Sequence, residues 1–66
     1  MGLLYQTIQR IDEVIERRAL QGFRTRGLIA LKAGFSLALI EESTPDDPAK
    51  VHRLKEAARE VLGEAV

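Results

Sequence analysis

Apolar residues recur along the first third of the chain at Leu4, Ile8, Ile11 and Ile15, in steps of 4, 3 and 4. Gln6, Gln9, Arg10, Asp12, Glu13, Glu16 and Arg17 lie off that stripe, as on an amphipathic helix from Leu3 to about Leu20. Arg17 and Arg18 fall in its last turn, where cations suit the helix dipole, and Gly22 offers a C′ residue to stop it. Phe23, Arg24 and Thr25 then form the connection, with Thr25 as N-cap of a second helix.

The second segment reads differently. From Gly27 to Ile40 the chain runs GLIALKAGFSLALI, in which only Lys32 and Ser36 are polar. A helix over about Arg26 to Ser43 places the bulky residues Leu28, Leu31, Phe35 and Leu39 on one face. The small residues Gly27, Ala30, Gly34 and Ala38 recur at i, i+3, i+7 and i+11, a flat strip that another backbone could approach closely. The competing reading is a β-hairpin of strands Leu28–Leu31 and Phe35–Ile40, since Phe-Ser-Leu-Ala-Leu alternates. The Leu- and Ala-rich composition, with Ile29 and Ile40 as the only β-branched residues, favours the helix.

Ser43-Thr44-Pro45-Asp46-Asp47-Pro48 cannot continue a helix. Asp47 as N-cap with Pro48 at the first helical position starts a third helix, with Thr44 and Pro45 as an earlier alternative. Val51, Leu54, Ala58, Val61 and Ala65 form its stripe, and Gly63 marks fraying near the end. Two of these five are alanines, so this helix is expected to bury least and to be the freest to move or to pack on a neighbouring subunit. The predicted class is all-α, one small domain over residues 1–66: an antiparallel helical hairpin plus a shorter third helix, assembled into an oligomeric bundle.

Length bears on that assembly. A chain of 66 residues buries only about 60% of the surface its unfolded form exposes. Small scaffolds add disulfides, a metal or a partner subunit. There is no cysteine, which also fits a reducing cytoplasm, and His52 is the only histidine, so a second copy of the chain is the remaining support. The segment MGLLYQTIQRIDE has neither a basic stretch nor an apolar run of signal-peptide type, and Gly27–Ile40 falls short of the ~20 residues that cross a bilayer. A cytoplasmic protein without membrane contact is expected. Asparagine is absent while Arg, Glu, Leu and Ala dominate, a bias seen in heat-adapted proteins.

Ten basic and ten acidic residues cancel, which removes any global attraction to nucleic acid or anionic lipid. The distribution is uneven. Arg17, Arg18, Arg24, Arg26 and Lys32 precede Ile40 with no anion among them from Arg17 onward, whereas Glu41, Glu42, Asp46 and Asp47 follow. Arg24 and Arg26 at the start of the second helix and Glu41 and Glu42 at its end oppose the dipole, each at about 0.3–1 kcal/mol. An antiparallel copy crossing at Gly34 sets Ala30 against Ala38 and Arg26 against Glu42, turning both penalties into attractions. The expected interface is therefore Arg26, Gly27, Ala30, Leu31, Gly34, Phe35, Ala38 and Glu42.

Candidate chemistry is sparse. Arg17, Arg18 and Arg24, with Phe23 among them, could meet a phosphate or a partner at the hairpin tip, but the simpler account is that Arg17 and Arg18 serve the first helix's C-terminus while Arg24 and Arg26 pair with Glu41 and Glu42 of another subunit. The acidic stretch lacks the spacing and central glycine of a calcium loop, so no metal site is expected. His52, one turn from Glu56, has no second ligand and reads as a solvated surface histidine. Lys32 and Ser36 at i, i+4 could resemble a lysine-activated serine, but no oxyanion hole or pocket accompanies them. No catalytic residue, cofactor or enzymatic activity is expected. A non-catalytic homo-oligomeric assembly or adaptor module is the favoured reading, with the chain itself, as a dimer, the first partner and another protein the second. A small nucleic-acid-binding or regulatory protein using the arginine cluster is the alternative.

Overall fold

The computed structural model describes residues 2–66 and is all-helical: α1 (Leu3–Arg17), α2 (Gly22–Ala33) and α3 (Pro48–Leu62), with one 3-10 turn at Leu37–Leu39 between α2 and α3. No strand occurs among the described residues, which disposes of the β-hairpin.

α1 buries Leu4, Ile8, Ile11 and Ile15, the four residues of the expected stripe, together with Thr7 and Val14. The buried Thr7 hydroxyl donates to the Leu3 carbonyl oxygen at 2.8 Å, so it leaves no orphaned polar atom. The start of α1 is capped from a distance. Gly2 has no capping side chain, and the Leu4 N–H donates instead to Asp46 Oδ1 at 3.0 Å, 42 residues away. A Cβ on Gly2 would stand 2.5 Å from that oxygen, so glycine leaves the room the carboxylate occupies.

Hydrogen bonds from the Leu4 and then the Leu3 amides hold the Asp46 carboxyl below the usual aspartate range. Its contribution to folding is therefore present above the unfolded aspartate value and disappears as pH falls through the lowered folded value. Asp46→Asn should melt at a lower temperature than the natural sequence at neutral pH. The gap should close in acid; a gap of constant size from pH 7 to pH 2 would disprove the role of the ionised carboxylate.

α1 ends at Arg17, short of the expected Leu20, and Gly22 does not stop it. Ala19 takes the left-handed conformation, φ 52°, while the Ala19 N–H donates to the Glu16 oxygen and the Leu20 N–H to the Ile15 oxygen. This paired closure is the Schellman pattern, executed by an alanine where glycine is usual. Gly22 is instead the first residue of α2. The α2 N-cap is Gln21, whose Oε1 accepts from the Arg24 N–H at 2.6 Å, and Thr25 lies inside the helix with its N–H bonded to the Gln21 oxygen.

The largest departure from expectation is the end of α2. Gly34 adopts φ 85° and its N–H donates to the Ala30 oxygen at 2.9 Å, so the helix stops at Ala33 rather than at Ser43. A left-handed residue costs roughly 1–2 kcal/mol with any side chain but glycine, which is why Gly34 rather than Ser43 terminates the helix. Phe35, Ala38 and Glu42 consequently lie in the connection to α3 and not on α2, Ala38 within its 3-10 turn.

That connection stays apolar because it returns to the core. Leu37 is buried, Phe35 and Ile40 are half-buried against the core, and Lys50 Nζ and Arg53 Cζ sit 5.6 and 6.0 Å from the Phe35 ring centroid. α3 begins as expected: Asp47 Oδ1 accepts from the Ala49 and Lys50 N–H groups at 3.0 and 3.3 Å, with Pro48 at the first position. It ends at Gly63, left-handed at φ 75°.

α3 is neither the shorter helix expected nor the weakly held element its alanines implied: it runs for 15 residues, as long as α1 and longer than the 12 of α2. It packs against both α1 and α2 and buries Val51, Leu54, Ala57, Ala58 and Leu62. Ala57 and Ala58 are small enough to bring the helix backbones together, so their size serves close approach rather than looseness. Val61 is half-buried, and Ala65 lies beyond the helix and is exposed.

The thirteen buried apolar residues all come from this one chain. Its accessible surface is 4452 Å², against about 4,200 Å² expected for a folded monomer of 7.4 kDa. The three helices and the connection between α2 and α3 thus share one core.

Candidate interaction surface

α2 buries little of itself. Ile29 and Ala33 enter the core, with Gly22, Thr25 and Ala30 half-buried beside them. The opposite side of the helix carries large apolar residues as well, with the exposed Arg24 among them. Phe23 is 88% exposed and Leu31 80%, four residues either side of the exposed Gly27, and Leu28 beside them is 47% exposed. Leu39, on the 3-10 turn, is 77% exposed. Scattered single apolar residues are ordinary on a surface, but three on consecutive turns of one helix form a contiguous patch.

At Gly27 a Cβ would meet nothing within 4 Å, so no feature of this chain requires a glycine there. In the interior of a solvent-facing helix, glycine costs roughly 0.5–1 kcal/mol relative to alanine. The result is a notch between two ridges, Phe23 and Leu31.

Beside this face lies a groove of about 510 Å³ between α1, α2 and the turn after α2, lined by Tyr5, Ile8, Ala30, Leu37, Ala38 and Ile40. Phe23, Gly27, Asp12, Arg26 and Ser36 also border it. Arg26 Nε donates to Asp12 Oδ1 at 2.6 Å, so its two charged side chains satisfy each other.

The predicted contacts are redistributed by the early end of α2. Gly27, Ala30 and Leu31 remain together on the helix. Gly34 is its cap, and Phe35, Ala38 and Glu42 follow it. The crossing at Gly34 with Ala30 against Ala38 on one continuous rod is therefore replaced, and Arg26 is paired with Asp12 within the chain rather than free for Glu42.

The arginines do not converge either. Arg17 Nη2 donates to Glu64 Oε1 at 2.5 Å, and Arg18 Nη1 lies 3.5 Å from Glu64 Oε2 while donating to the Leu62 carbonyl oxygen. These two fasten the end of α3 and the residues after it to the end of α1. Arg24 stands apart on the outward side of α2, next to Phe23.

The remaining candidates are surface features. His52 Nε2 is 3.4 Å from Glu56 Oε1, both well exposed. Lys32 Nζ is 3.2 Å from Glu60 Oε2, and Ser36 lies beyond the end of α2, so the Lys32–Ser36 helical spacing does not exist. Among the described residues no group of three or more His, Asp or Glu side chains is placed to hold a metal ion, and no helix is long and apolar enough to cross a membrane.

Comparison with protein-family models, with curated proteins and with solved structures finds no match to this chain. The sequence pattern picks out Gly27 and Leu31, puts Leu28 on the bulky face of the second helix and marks Phe23, but it does not show the groove, which exists only because α2 stops at Ala33 and the chain folds back along α1.

Proposed function

We propose that this protein is a non-catalytic assembly module in which α2 of one copy packs, antiparallel, on α2 of another. The observation that supports this reading most strongly is Gly27, an exposed mid-helix glycine between two protruding apolar side chains. An antiparallel crossing centred on Gly27 sets Leu31 of each copy opposite Phe23 of the other, because they lie at +4 and −4 from the crossing point. The same patch then serves both copies, as a two-fold interface requires. Close approach of the two backbones gives the glycine a purpose that the monomer does not.

Charge also supports a second copy as the partner. Arg26 and Lys32, the cations flanking this face, are neutralised by Asp12 and Glu60 of the same chain. Arg24 is the one cation of α2 outside an ion pair among the described residues, so like-charge repulsion between two α2 helices is confined to it. In this reading α1 and α2 form an antiparallel hairpin braced by α3, and the assembled hairpins are the scaffold on which another macromolecule is held.

Light scattering coupled to size exclusion, run from micromolar upward, tests the proposal directly; a single-chain mass throughout would refute it. Gly27→Ala gives a second test with opposite signs in its two readouts. The monomer should gain about 0.5–1 kcal/mol of stability by denaturant melting, since alanine favours the helix and meets no obstacle. Self-association of the same variant should weaken, because two Cβ atoms are then pressed into the crossing.

A further inference from the structure

We propose that in the assembled protein the groove between α1 and α2 of each copy is filled by Phe23 of the other. This rests on the α2–α2 reading above and deepens it by adding a second contact.

The first argument is area. α2 has twelve residues and is about 18 Å long at 1.5 Å per residue, so a facing strip about 10 Å wide presents roughly 180 Å². A stable interface needs about 800 Å² from each partner. A bare helix crossing falls well short, and a stable dimer must engage apolar surface continuous with α2. The groove is that surface, since Phe23 and Gly27 border both.

The second argument is chemistry. The lining by Tyr5, Ile8, Ala30, Leu37, Ala38 and Ile40 is mainly apolar, Ser36 adds one uncharged hydroxyl, and the bordering Asp12 and Arg26 are already bonded to each other. Nothing there calls for a charged ligand, and a neutral aromatic or aliphatic side chain is what fits. Phe23 is the most exposed large apolar side chain among the described residues.

The third argument is symmetry. A two-fold axis that lies between two antiparallel helices, perpendicular to them, leaves both grooves on the same side of the helix pair. Phe23, four residues before the crossing point in its own copy, then stands level with residue 31 of the other. It meets that groove beside Ala30, where its ring leaves water as the backbones close at Gly27.

The chain holds one tyrosine and no tryptophan, and the tyrosine lines the groove, which makes occupancy measurable. Acrylamide quenching of Tyr5 in the natural sequence, followed from dilute to concentrated protein, should fall severalfold as the mass doubles. In parallel, the indole of Phe23→Trp should shift its emission to shorter wavelength over the same concentration range. A doubled mass with unchanged Tyr5 quenching overturns groove filling and leaves the α2 crossing standing. Shielding of Tyr5 without the indole shift means that another segment or a foreign apolar ligand occupies the groove, and also overturns it. A constant single-chain mass removes the α2 reading itself and this proposal with it.

Discussion

Leu54→Ala should destabilise the protein by about 2–5 kcal/mol, the range for removing a fully enclosed leucine side chain. Leu54 is 0% exposed, in the middle of α3, the helix that packs on both others. The effect is large for this chain in particular. At roughly 0.05–0.15 kcal/mol per residue, 66 residues imply a total stability of about 3–10 kcal/mol. The midpoint of a thermal melt followed by circular dichroism should drop by roughly 8–40 °C, given about 4–8 °C per kcal/mol in a domain of this size. Leu39→Ala, at a residue 77% exposed, should leave the monomer's melt almost unchanged. Equal effects at the two leucines would mean that the helices are not packed as described.

Leu31→Gln is expected to separate assembly from folding. Leu31 is 80% exposed, and glutamine is an uncharged helix former, so the monomer's helicity and melting point should stay within about 0.5 kcal/mol of the natural sequence. Burial of a leucine side chain is worth about 1.5–3 kcal/mol, and a two-fold interface loses it twice. The dimer should therefore weaken by at least about 2 kcal/mol, or roughly 30-fold in Kd, read by sedimentation equilibrium. An unchanged association constant would place the contact elsewhere on the molecule.

Much of the helical layout could be read from spacing alone. Leu4, Ile8, Ile11 and Ile15 in α1, and Val51, Leu54 and Ala58 in α3, are buried as their steps of three and four required. Asp47 and Pro48 start α3 where capping chemistry put them. These signals are local, and nothing elsewhere in the chain competes with them.

The boundaries of α2 were misread for physical reasons that particular residues make plain. A left-handed alanine, Ala19, closed α1 where a glycine was sought, and this freed Gly22 to begin the next helix. Gly34 was hidden in an apolar run because Leu37 and Ile40 after it return to the core, so no polar break marks the end of the helix. The pair Lys32 and Gly34, a cation in the last turn followed by a left-handed glycine, is the signal that could have located it. The surface reading depended on that error only in part. Phe23, Gly27 and Leu31 share a face whether the helix stops at Ala33 or runs on, whereas Ala38 and Glu42 do not.

Both ends of α1 are fastened to residues more than forty positions further along: Leu4 to Asp46, Arg18 to Leu62 and Arg17 to Glu64. The first helix is therefore held at both ends only by non-local contacts, and closing the long loops of chain between the partners is an entropic cost that has to be met before either end is fixed.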